Sequence, residues 1–260
     1  MTTELDADLG PVGRLDGATW RSVLGLAPTE QPVAVVVEGS WWRAERTRRR
    51  LALLESTREL GVPDVHLGAW AGRQLIYACP YGAPRTAEVV HIAARVGVRL
   101  AIQVGSCGVV GAGVHPGDVV VPTEAWGADG VTSHYARTAR VPSSTPWADR
   151  AEMGLKDHEI KVHRGPIVTW PTLFNQPVER VGEWGLEGYI GVDMETATTL
   201  AVAGRFGIAA ISMLVAWDEV LAGRSFLDPL PPDQAAAFVK ADEAVFEVAL
   251  ALVSHGSADG

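Results

Sequence analysis

The sequence predicts an α/β protein whose central sheet, parallel or mixed, is covered by helices on both faces. Two observations predict this fold class. Short runs rich in β-branched residues alternate along the chain with longer segments whose apolar residues have helical spacing. The strand-like runs are almost continuously apolar, which is typical of strands buried between two layers.

In the first half of the chain, glycine and proline separate the predicted elements. An apolar strand covers residues 32–37, and a helical pattern follows over residues 42–60. A second strand covers residues 74–79, and a helix over residues 87–96 ends at a glycine. The basic run RTRRR, at residues 46–50, lies in the first of these helices, and we interpret it as a solvated helix face.

The second half continues the same alternation. Its apolar runs predict strands, and its amphipathic segments predict helices that end at glycine or run to the end of the apolar stripe. The predicted strands cover residues 100–104, 119–121, 161–169 and 208–216, and the predicted helices cover residues 196–206 and 232–253.

Length and composition indicate one globular domain with an N-terminal extension. The chain has 260 residues, of which 47% are hydrophobic and 20% are charged, as in ordinary globular proteins. Residues 1–31 mix acids, glycine and proline, so we expect them to form an extension outside the core. Residues 32–260 form the predicted single domain.

The charge balance and the cysteine content exclude several classes of function. The formal charge of -9 makes the chain a poor ligand for a phosphate backbone, so we expect no nucleic-acid partner. Two cysteines, Cys79 and Cys107, are too few for a disulfide framework or a cysteine-rich metal site. The acidic N-terminus is unlike a signal peptide, and residues 208–217 are too short to span a bilayer. We therefore expect a cytoplasmic protein with no membrane partner and no bound metal.

Four segments place unusual polar residues directly after predicted strands. They are EGSWWR at residues 38–43, GSCG at 105–108, VDME at 192–195 and Trp217-Asp218. Ligands of open α/β sheets bind at the carboxyl ends of the strands. Each segment also has a purely structural interpretation as a turn, a helix cap or an acidic first helical turn.

Together and in this order, these segments resemble the purine nucleoside phosphorylase/uridine phosphorylase superfamily. The resemblance is to the bacterial homo-oligomeric branch, which also contains methylthioadenosine nucleosidases. The stretch IQVGSCGVVGAGVHPGDVVVPTEA is similar to the family's Gly-Ser/Thr-x-Gly loop and the strand after it. The stretch GVDMETATTLAVAGRFGIAAISMLVAWDE is similar to its Val-Glu-Met-Glu-x-Ala helix and to the next strand, which ends in Ser-Asp. The resemblance implies a three-layer α/β/α sandwich with a mixed, partly barrel-like central sheet.

The family reaction is cleavage of the N-glycosidic bond of a nucleoside. The resemblance implies a pentosyltransferase that uses inorganic phosphate as co-substrate, needs no other cofactor, and releases a free base and a sugar 1-phosphate. It also implies a homodimer or a hexamer built from dimers. Two alternatives stay open, namely a nucleosidase that uses water and a non-catalytic nucleoside-binding homologue.

The resemblance also implies roles for individual residues. Glu195 matches the carboxylate that binds the ribose hydroxyls, and Met194 matches the thioether that packs under the sugar. Asp218 matches the acid that protonates or hydrogen-bonds N7 of a purine, and Phe174 matches the aromatic residue that stacks on the base. The rest of the expected substrate-binding set consists of Cys107, Gly108, Val192, Asp193 and Tyr81.

The expected phosphate site departs from the family pattern. Its residues would be Gly39, Arg43, Ser106 and, from its position at a helix start, Arg85. Arg43 is also expected to act in catalysis. Between Gly39 and Arg43 two tryptophans replace the usual residues, and Gln103 stands where phosphorylases carry a second arginine. One arginine holds a phosphate dianion weakly, which favours the water-using alternative.

Other positions favour phosphorolysis and a purine. Arg43-Ala44-Glu45 is closer to the phosphorylase pattern than to that of the nucleosidases, which place a glutamate general base near this loop. Uridine phosphorylases read the base with a glutamine and an arginine, and Val178 occupies the glutamine position here. The sequence therefore predicts a purine nucleoside as substrate.

Overall fold

The computed structural model describes residues 9–255 of the chain. Its helices and strands alternate as the sequence predicts. The helices are α1 (Gly17–Leu24), α2 (Arg43–Leu51), α3 (Ala83–Arg95), α4 (Thr145–Asp157), α5 (Val178–Leu186), α6 (Thr196–Arg205) and α7 (Pro232–His255). The strands are β1 (Ala34–Gly39), β2 (Glu55–Glu59), β3 (Val65–Trp70), β4 (Arg73–Ala78), β5 (Leu100–Val109), β6 (Val119–Gly127), β7 (Arg140–Pro142), β8 (Val162–Thr169), β9 (Gly191–Asp193) and β10 (Ala209–Glu219).

All of these strands belong to one mixed sheet, part of which closes on itself. Strand β5 pairs in parallel with β10 and antiparallel with β9, while β10 pairs with β6, β6 with β8, and β8 with β9. These five strands form a closed ring. The rest of the sheet is open, because β1, β4, β3 and β2 continue in this order from β5 and β2 is an edge strand. The predicted mixed, partly barrel-like sheet is confirmed.

The alternation of side chains along β1 divides the core into two layers. Val35 and Val37 pack in the cluster that contains α3 and α6, whereas Ala34 and Val36 pack in the cluster that contains α4 and α7. Successive side chains of a strand point to opposite faces, so a strand that is apolar at every position must be covered on both sides. The predicted three-layer sandwich is confirmed.

The predicted helix over residues 42–60 is wrong in its second half. Helix α2 ends at Leu51, and residues 55–59 form β2, an edge strand that pairs antiparallel with β3. Its charged residues face solvent, as edge strands commonly require, and Arg58 forms an ion pair with Glu30 at 2.6 Å. Pairing with β3, a contact between distant parts of the chain, overrides the local helical pattern.

The N-terminal segment is more closely integrated than the sequence predicts. Asp16 caps α1 by accepting a hydrogen bond from the Thr19 N–H at 2.8 Å, and Leu24 at the end of this helix is completely buried. Leu26 is buried in the same cluster. The prediction that residues 1–31 lie outside the core is therefore wrong for these side chains, while residues 1–8 lie outside the described part. None of the helices described combines the length and apolar character needed to cross a membrane.

Candidate active site

An open cavity, with about 810 Å³ of empty space that includes solvent at its mouth, lies where β1, β5, β9 and β10 end. It holds most of the residues that the sequence singles out. Loops after β4 and β8 and the long helix α7 complete its wall. Of the predicted site residues, those that line the cavity are Gly39, Tyr81, Ser106, Cys107, Gly108, Val192, Asp193, Met194, Glu195 and Asp218.

Glu195 lies at the turn between β9 and α6, where it is almost fully buried. The backbone N–H of Gly82 donates a hydrogen bond to its Oε1 at 2.6 Å. Gly39 passes so close that a Cβ there would lie 2.5 Å from Oε2, which explains why this position has no side chain. Burial, and then the charge of neighbouring Asp193, raise the pKa of Glu195.

The carboxylate of Asp193 is hydrogen-bonded to other groups of the protein rather than free to bind a ligand. Its carboxylate accepts hydrogen bonds from the Thr169 hydroxyl at 2.7 Å, the Thr196 hydroxyl at 2.6 Å and the Thr196 N–H at 2.8 Å. The N–H of Glu195 adds a fourth at 3.3 Å. Burial raises the pKa of Asp193, against the effect of these hydrogen bonds. Although Asp193 borders the cavity, its contacts make it a residue that positions Glu195.

Gln103, the residue in the place of a second arginine, belongs to the same network. Its Oε1 lies 2.7 Å from the Thr196 hydroxyl oxygen, and its Nε2 lies 3.5 Å from Asp193 Oδ2. The side chain is buried and does not line the cavity. Gln103 therefore supports the β9–α6 turn in this chain.

Asp218 faces the cavity from β10, beside an irregularity in the pairing between β10 and β5. Burial raises the pKa of Asp218 to about 6, although the positive charge of Arg224 acts in the opposite direction. Its Oδ1 is buried and has no hydrogen-bond partner in the described structure. A buried carboxyl oxygen without a partner costs free energy, and a ligand that hydrogen-bonds to it would remove that cost.

The GSCG segment continues β5 rather than following it, because β5 extends to Val109. Close backbone packing explains its glycines. A Cβ on Gly105 would lie 3.0 Å from the carbonyl oxygen of Gly39, and one on Gly108 would lie 2.7 Å from Val220. Burial raises the pKa of the Cys107 thiol, so this residue acts as an apolar part of the cavity wall.

Aromatic rings form the outer wall of the cavity. Trp41 contacts Tyr81 edge-on at 5.7 Å, and Trp42 contacts Trp217 at 5.6 Å. Phe226 joins the two tryptophans, at 6.2 Å from Trp41 and 5.6 Å from Trp42. These contacts assign Trp41 and Trp42, whose roles the sequence left open, to the mouth of the cavity.

Phe174, the predicted base-stacking residue, lies at the edge of this wall. Its ring contacts Trp41 at 5.7 Å, but its side chain is 80% exposed and does not line the cavity. Leu173 and Gln176, from the same loop, line the cavity instead. The loop has the predicted location, and the ring itself faces outward.

Two predicted arginines do not line the cavity. Arg43 is the first residue of α2 and is exposed. Arg85 lies in the first turn of α3, where it forms an ion pair with Glu88 at 2.9 Å and donates to the carbonyl oxygen of Pro63 at 2.5 Å. The structure therefore corrects their expected position, because neither guanidinium is placed at the cavity wall.

A buried ionic cluster was missed by sequence reasoning. Arg50 bonds Glu38 at 3.0 Å and Asp242 at 3.1 Å, and the Tyr77 hydroxyl donates to Glu38 at 2.8 Å. Arg46, one turn earlier, forms an ion pair with Asp242 and lies 3.6 Å from Glu38. The interpretation of residues 46–50 as a solvated helix face is wrong for Arg46 and Arg50. The sequence does contain a signal for this cluster. Arg46 and Arg50 are four residues apart on one helix, and Glu38 lies near the end of the preceding strand.

A family model named Phosphorylase superfamily matches residues 32–254. The chain belongs to this superfamily. Among curated relatives, a guanosine phosphorylase from Halorubrum lacusprofundi is 30% identical over 144 residues, which cover 55% of this chain and 59% of the relative. A DeoD-type purine nucleoside phosphorylase from Actinobacillus succinogenes is 31% identical over 49% of this chain and 54% of its own length. The chain thus spans little more than half the length of these relatives.

Other superfamily members match over nearly the whole chain. A DeoD-type purine nucleoside phosphorylase from Myxococcus xanthus is 28% identical over 239 residues, covering 87% of this chain and 95% of the relative. A crystal structure of uridine phosphorylase from Vibrio fischeri superposes with a TM-score of 0.75 at 18% identity, covering 94% of this chain and 96% of that one. This likeness shows that the superfamily fold extends over the described chain.

Proposed function

We propose that this superfamily member cleaves the N-glycosidic bond of a purine nucleoside with inorganic phosphate, releasing the free base and a sugar 1-phosphate. The observation that carries the proposal is a pair of carboxyl groups, the buried Glu195 and the partly buried Asp218, that line one cavity. The printed names of the relatives, which include guanosine and purine nucleoside phosphorylases, support this reaction and a purine base.

Glu195 is proposed to hold the sugar. A carboxylate can accept hydrogen bonds from two neighbouring ribose hydroxyls, and the Gly82 N–H fixes its orientation. As the glycosidic bond breaks, positive charge develops on the sugar ring. A nearby carboxylate stabilises this charge more strongly in the transition state than in the ground state, which is the condition for catalysis.

Asp218 is proposed to supply the proton that the base needs to leave. The bond between the anomeric carbon and the base nitrogen breaks, and its electron pair goes to the purine, which takes the carboxyl proton at N7. A phosphate oxygen then forms the new bond to the anomeric carbon. The raised pKa of Asp218 keeps part of the carboxyl groups protonated near neutral pH, as a general acid requires.

Hydrolysis by water is the second candidate, favoured by the charges around the cavity. Arg46 is the single basic side chain among the described residues that line it. Phosphate would have to bind with little help from positive charge. The acidic lining residues are Glu38, Asp193, Glu195, Asp218 and Asp242.

A nucleoside panel tests the proposed reaction. Purine and pyrimidine nucleosides are incubated with the protein, with and without inorganic phosphate, and free base and sugar 1-phosphate are measured. We expect phosphate-dependent release of purine bases. Equal release without phosphate would favour hydrolysis, and nucleoside binding without any release would favour a non-catalytic binding protein.

We further propose that the enzyme acts in the cytoplasm as a homodimer or as a hexamer of dimers. The free thiols of Cys79 and Cys107 suit a reducing compartment. Large apolar side chains at the cavity mouth, including Trp41 and Phe174, are exposed in the single chain, and a second subunit would cover such a surface.

A further inference from the structure

We propose that Arg46 binds the attacking phosphate, which is an inference that rests on the proposed phosphorolysis. The family resemblance places this role on Arg43. In the structure, Arg46 lines the cavity together with Gly39 and Ser106, whereas Arg43 does not. The ligand would be inorganic phosphate or another small oxyanion of the same geometry.

The guanidinium of Arg46 is only partly used by the protein. Its Nη1 contacts Asp242 and lies 3.6 Å from Glu38, and its side chain is 14% exposed. Within residues 9–255, its Nε and Nη2 groups form no hydrogen bond, and neither does the Ser106 hydroxyl. A guanidinium has five N–H donors in a planar fork, so the unused donors can bind two oxygens of one phosphate.

Arg50 leaves donors of Arg46 unused, because Arg50 itself bonds Glu38 and Asp242, the two carboxylates next to Arg46. It is itself 2% exposed, so it does not reach the cavity. With Arg46 it balances the two negative charges of these acids. Glu38 and Asp242 therefore hold Arg46 in a defined orientation, which lowers the entropy lost when a ligand binds.

The other basic candidates are placed less well. Arg85 is engaged with Glu88 and the Pro63 carbonyl group, and Gln103 has no charge and is bonded to Thr196. In this interpretation, Gln103 in place of the arginine expected from the family resemblance and Arg46 in the cavity complement each other. The guanidinium N–H donors that bind phosphate come from α2 instead of β5.

Matched arginine variants test the assignment. Arg46→Gln is compared with Arg48→Gln, which makes the same chemical change at an exposed position of the same helix that does not line the cavity. One measurement is the KM for inorganic phosphate at saturating nucleoside. The other is the rise in Tm on adding inorganic phosphate, which requires binding but no turnover.

We expect Arg46→Gln to raise the phosphate KM by roughly tenfold to a hundredfold, as the loss of a charged hydrogen bond does, and to abolish most of the Tm rise. The nucleoside KM and the behaviour of Arg48→Gln should stay close to wild type. Arg46→Lys keeps the charge and the ion pair but not the fork, so an intermediate phosphate KM is expected. This variant also decides the question if Arg46→Gln does not fold.

Three results would overturn the assignment. The first is an unchanged phosphate KM in both Arg46 variants, and the second is loss of phosphate binding in Arg43→Gln alone. The third is nucleoside cleavage by the wild type that does not respond to phosphate, with no phosphate-induced rise in Tm, and this result leaves glycosidic cleavage itself intact. Conversely, failure to cleave any nucleoside would refute the proposed reaction, while a Tm rise that Arg46→Gln removes would still support the phosphate site.

Discussion

At the scale of single residues, hydrogen bonding distinguishes the two carboxyl groups of the proposed reaction. Glu195 is fixed by the Gly82 N–H, whereas one oxygen of Asp218 is buried without a partner. Both pKa values are raised mainly by burial. Their partners, rather than their pKa values, distinguish the two groups. The unpaired oxygen of Asp218 can hydrogen-bond to a ligand and pass it a proton, whereas Glu195, oriented by a backbone N–H, can accept hydrogen bonds from hydroxyl groups.

The first prediction concerns Asp218→Asn. General acids contribute about 10²–10⁴-fold to rate, so this variant should lose that factor in kcat/KM for 6-aminopurine nucleosides. Nucleosides with activated leaving groups need no proton and should be cleaved almost as by the wild type. Steady-state kinetics on both substrate types make the comparison, and equal losses on both would mean that Asp218 supports the fold.

The pH dependence of the wild type follows from the same carboxyl group. Its active form is protonated, so the part of the cleavage rate that Asp218→Asn removes should decline as pH rises through about 6, the raised pKa of Asp218. Because this carboxyl group ionises at its ordinary pKa of 3.8 in the unfolded state, its ionisation also lowers the stability of the fold as pH rises from about 4 to about 6. Asp218→Asn should therefore have a higher Tm than the wild type at pH values well above 6.

The second prediction concerns Glu195→Gln. An amide keeps the size of the side chain but removes the charge that binds two hydroxyls and stabilises the sugar cation. We expect kcat/KM to fall by about 10²-fold or more for every nucleoside, whatever its leaving group. Near-normal turnover by the folded variant would show that Glu195 does not bind the sugar.

At the scale of elements, the turn between β9 and α6 positions Glu195, the carboxylate proposed to bind the sugar. Thr169 donates to Asp193 at 2.7 Å and accepts from the Ala197 N–H at 2.9 Å, so one hydroxyl connects β8, β9 and α6. This network joins Asp193 and Thr196 to Thr169 and Gln103, which are distant from them in sequence. It decides the orientation of Glu195 although none of its other members needs to touch substrate.

The third prediction tests this turn through Thr169→Val. The change is nearly isosteric but leaves the buried Asp193 carboxylate one donor short, which should cost about 1–3 kcal/mol of unfolding free energy. It should also lower kcat/KM, because Glu195 loses support. Thr123→Val, at an exposed position of β6, is the matched control and should stay within about 0.5 kcal/mol of wild type. Denaturant unfolding measures the free energy of unfolding of both variants. If Thr169→Val were as stable as Thr123→Val, the network would not have the proposed role in supporting Glu195.

The elements also show where the residue pattern of a segment is sufficient to predict its secondary structure. The apolar runs of β1, β5 and β10 and the amphipathic helices α3, α6 and α7 were predicted because each carries its periodicity in its own residues. The start of α2 was predicted, but its end and β2 were not. Residues 55–59 are charged, and only the antiparallel pairing with β3 makes them a strand.

At the scale of the whole molecule, the aromatic mouth of the cavity supports the proposed assembly of chains. Trp41, Trp42 and Phe174 come from two loops and are exposed by 49%, 39% and 80% in the single chain. Contiguous exposed aromatic side chains are typical of interaction surfaces, since they leave apolar area in water. Their location at the active-site mouth would make assembly and activity interdependent.

The fourth prediction is that the active species is at least a dimer. Sedimentation at micromolar concentration should show a mass of twice 27.6 kDa or a larger multiple. Specific activity should fall on dilution as the subunits separate. A fully active species of 27.6 kDa would rule the assembly out.

The sequence by itself determined the layered α/β fold and most of the candidate site. Hydrophobic periodicity specifies which strands are buried on both faces, and the motifs around Ser106, Glu195 and Asp218 are contiguous enough to be read directly. Only the tertiary structure decided which arginine lines the cavity. Arg43, Arg46 and Arg50 look alike in sequence, and their roles depend on Glu38 and Asp242, which β1 and α7 bring together across nearly the whole chain. Charge and burial at one point are set by residues distant in sequence, and no local pattern contains that information.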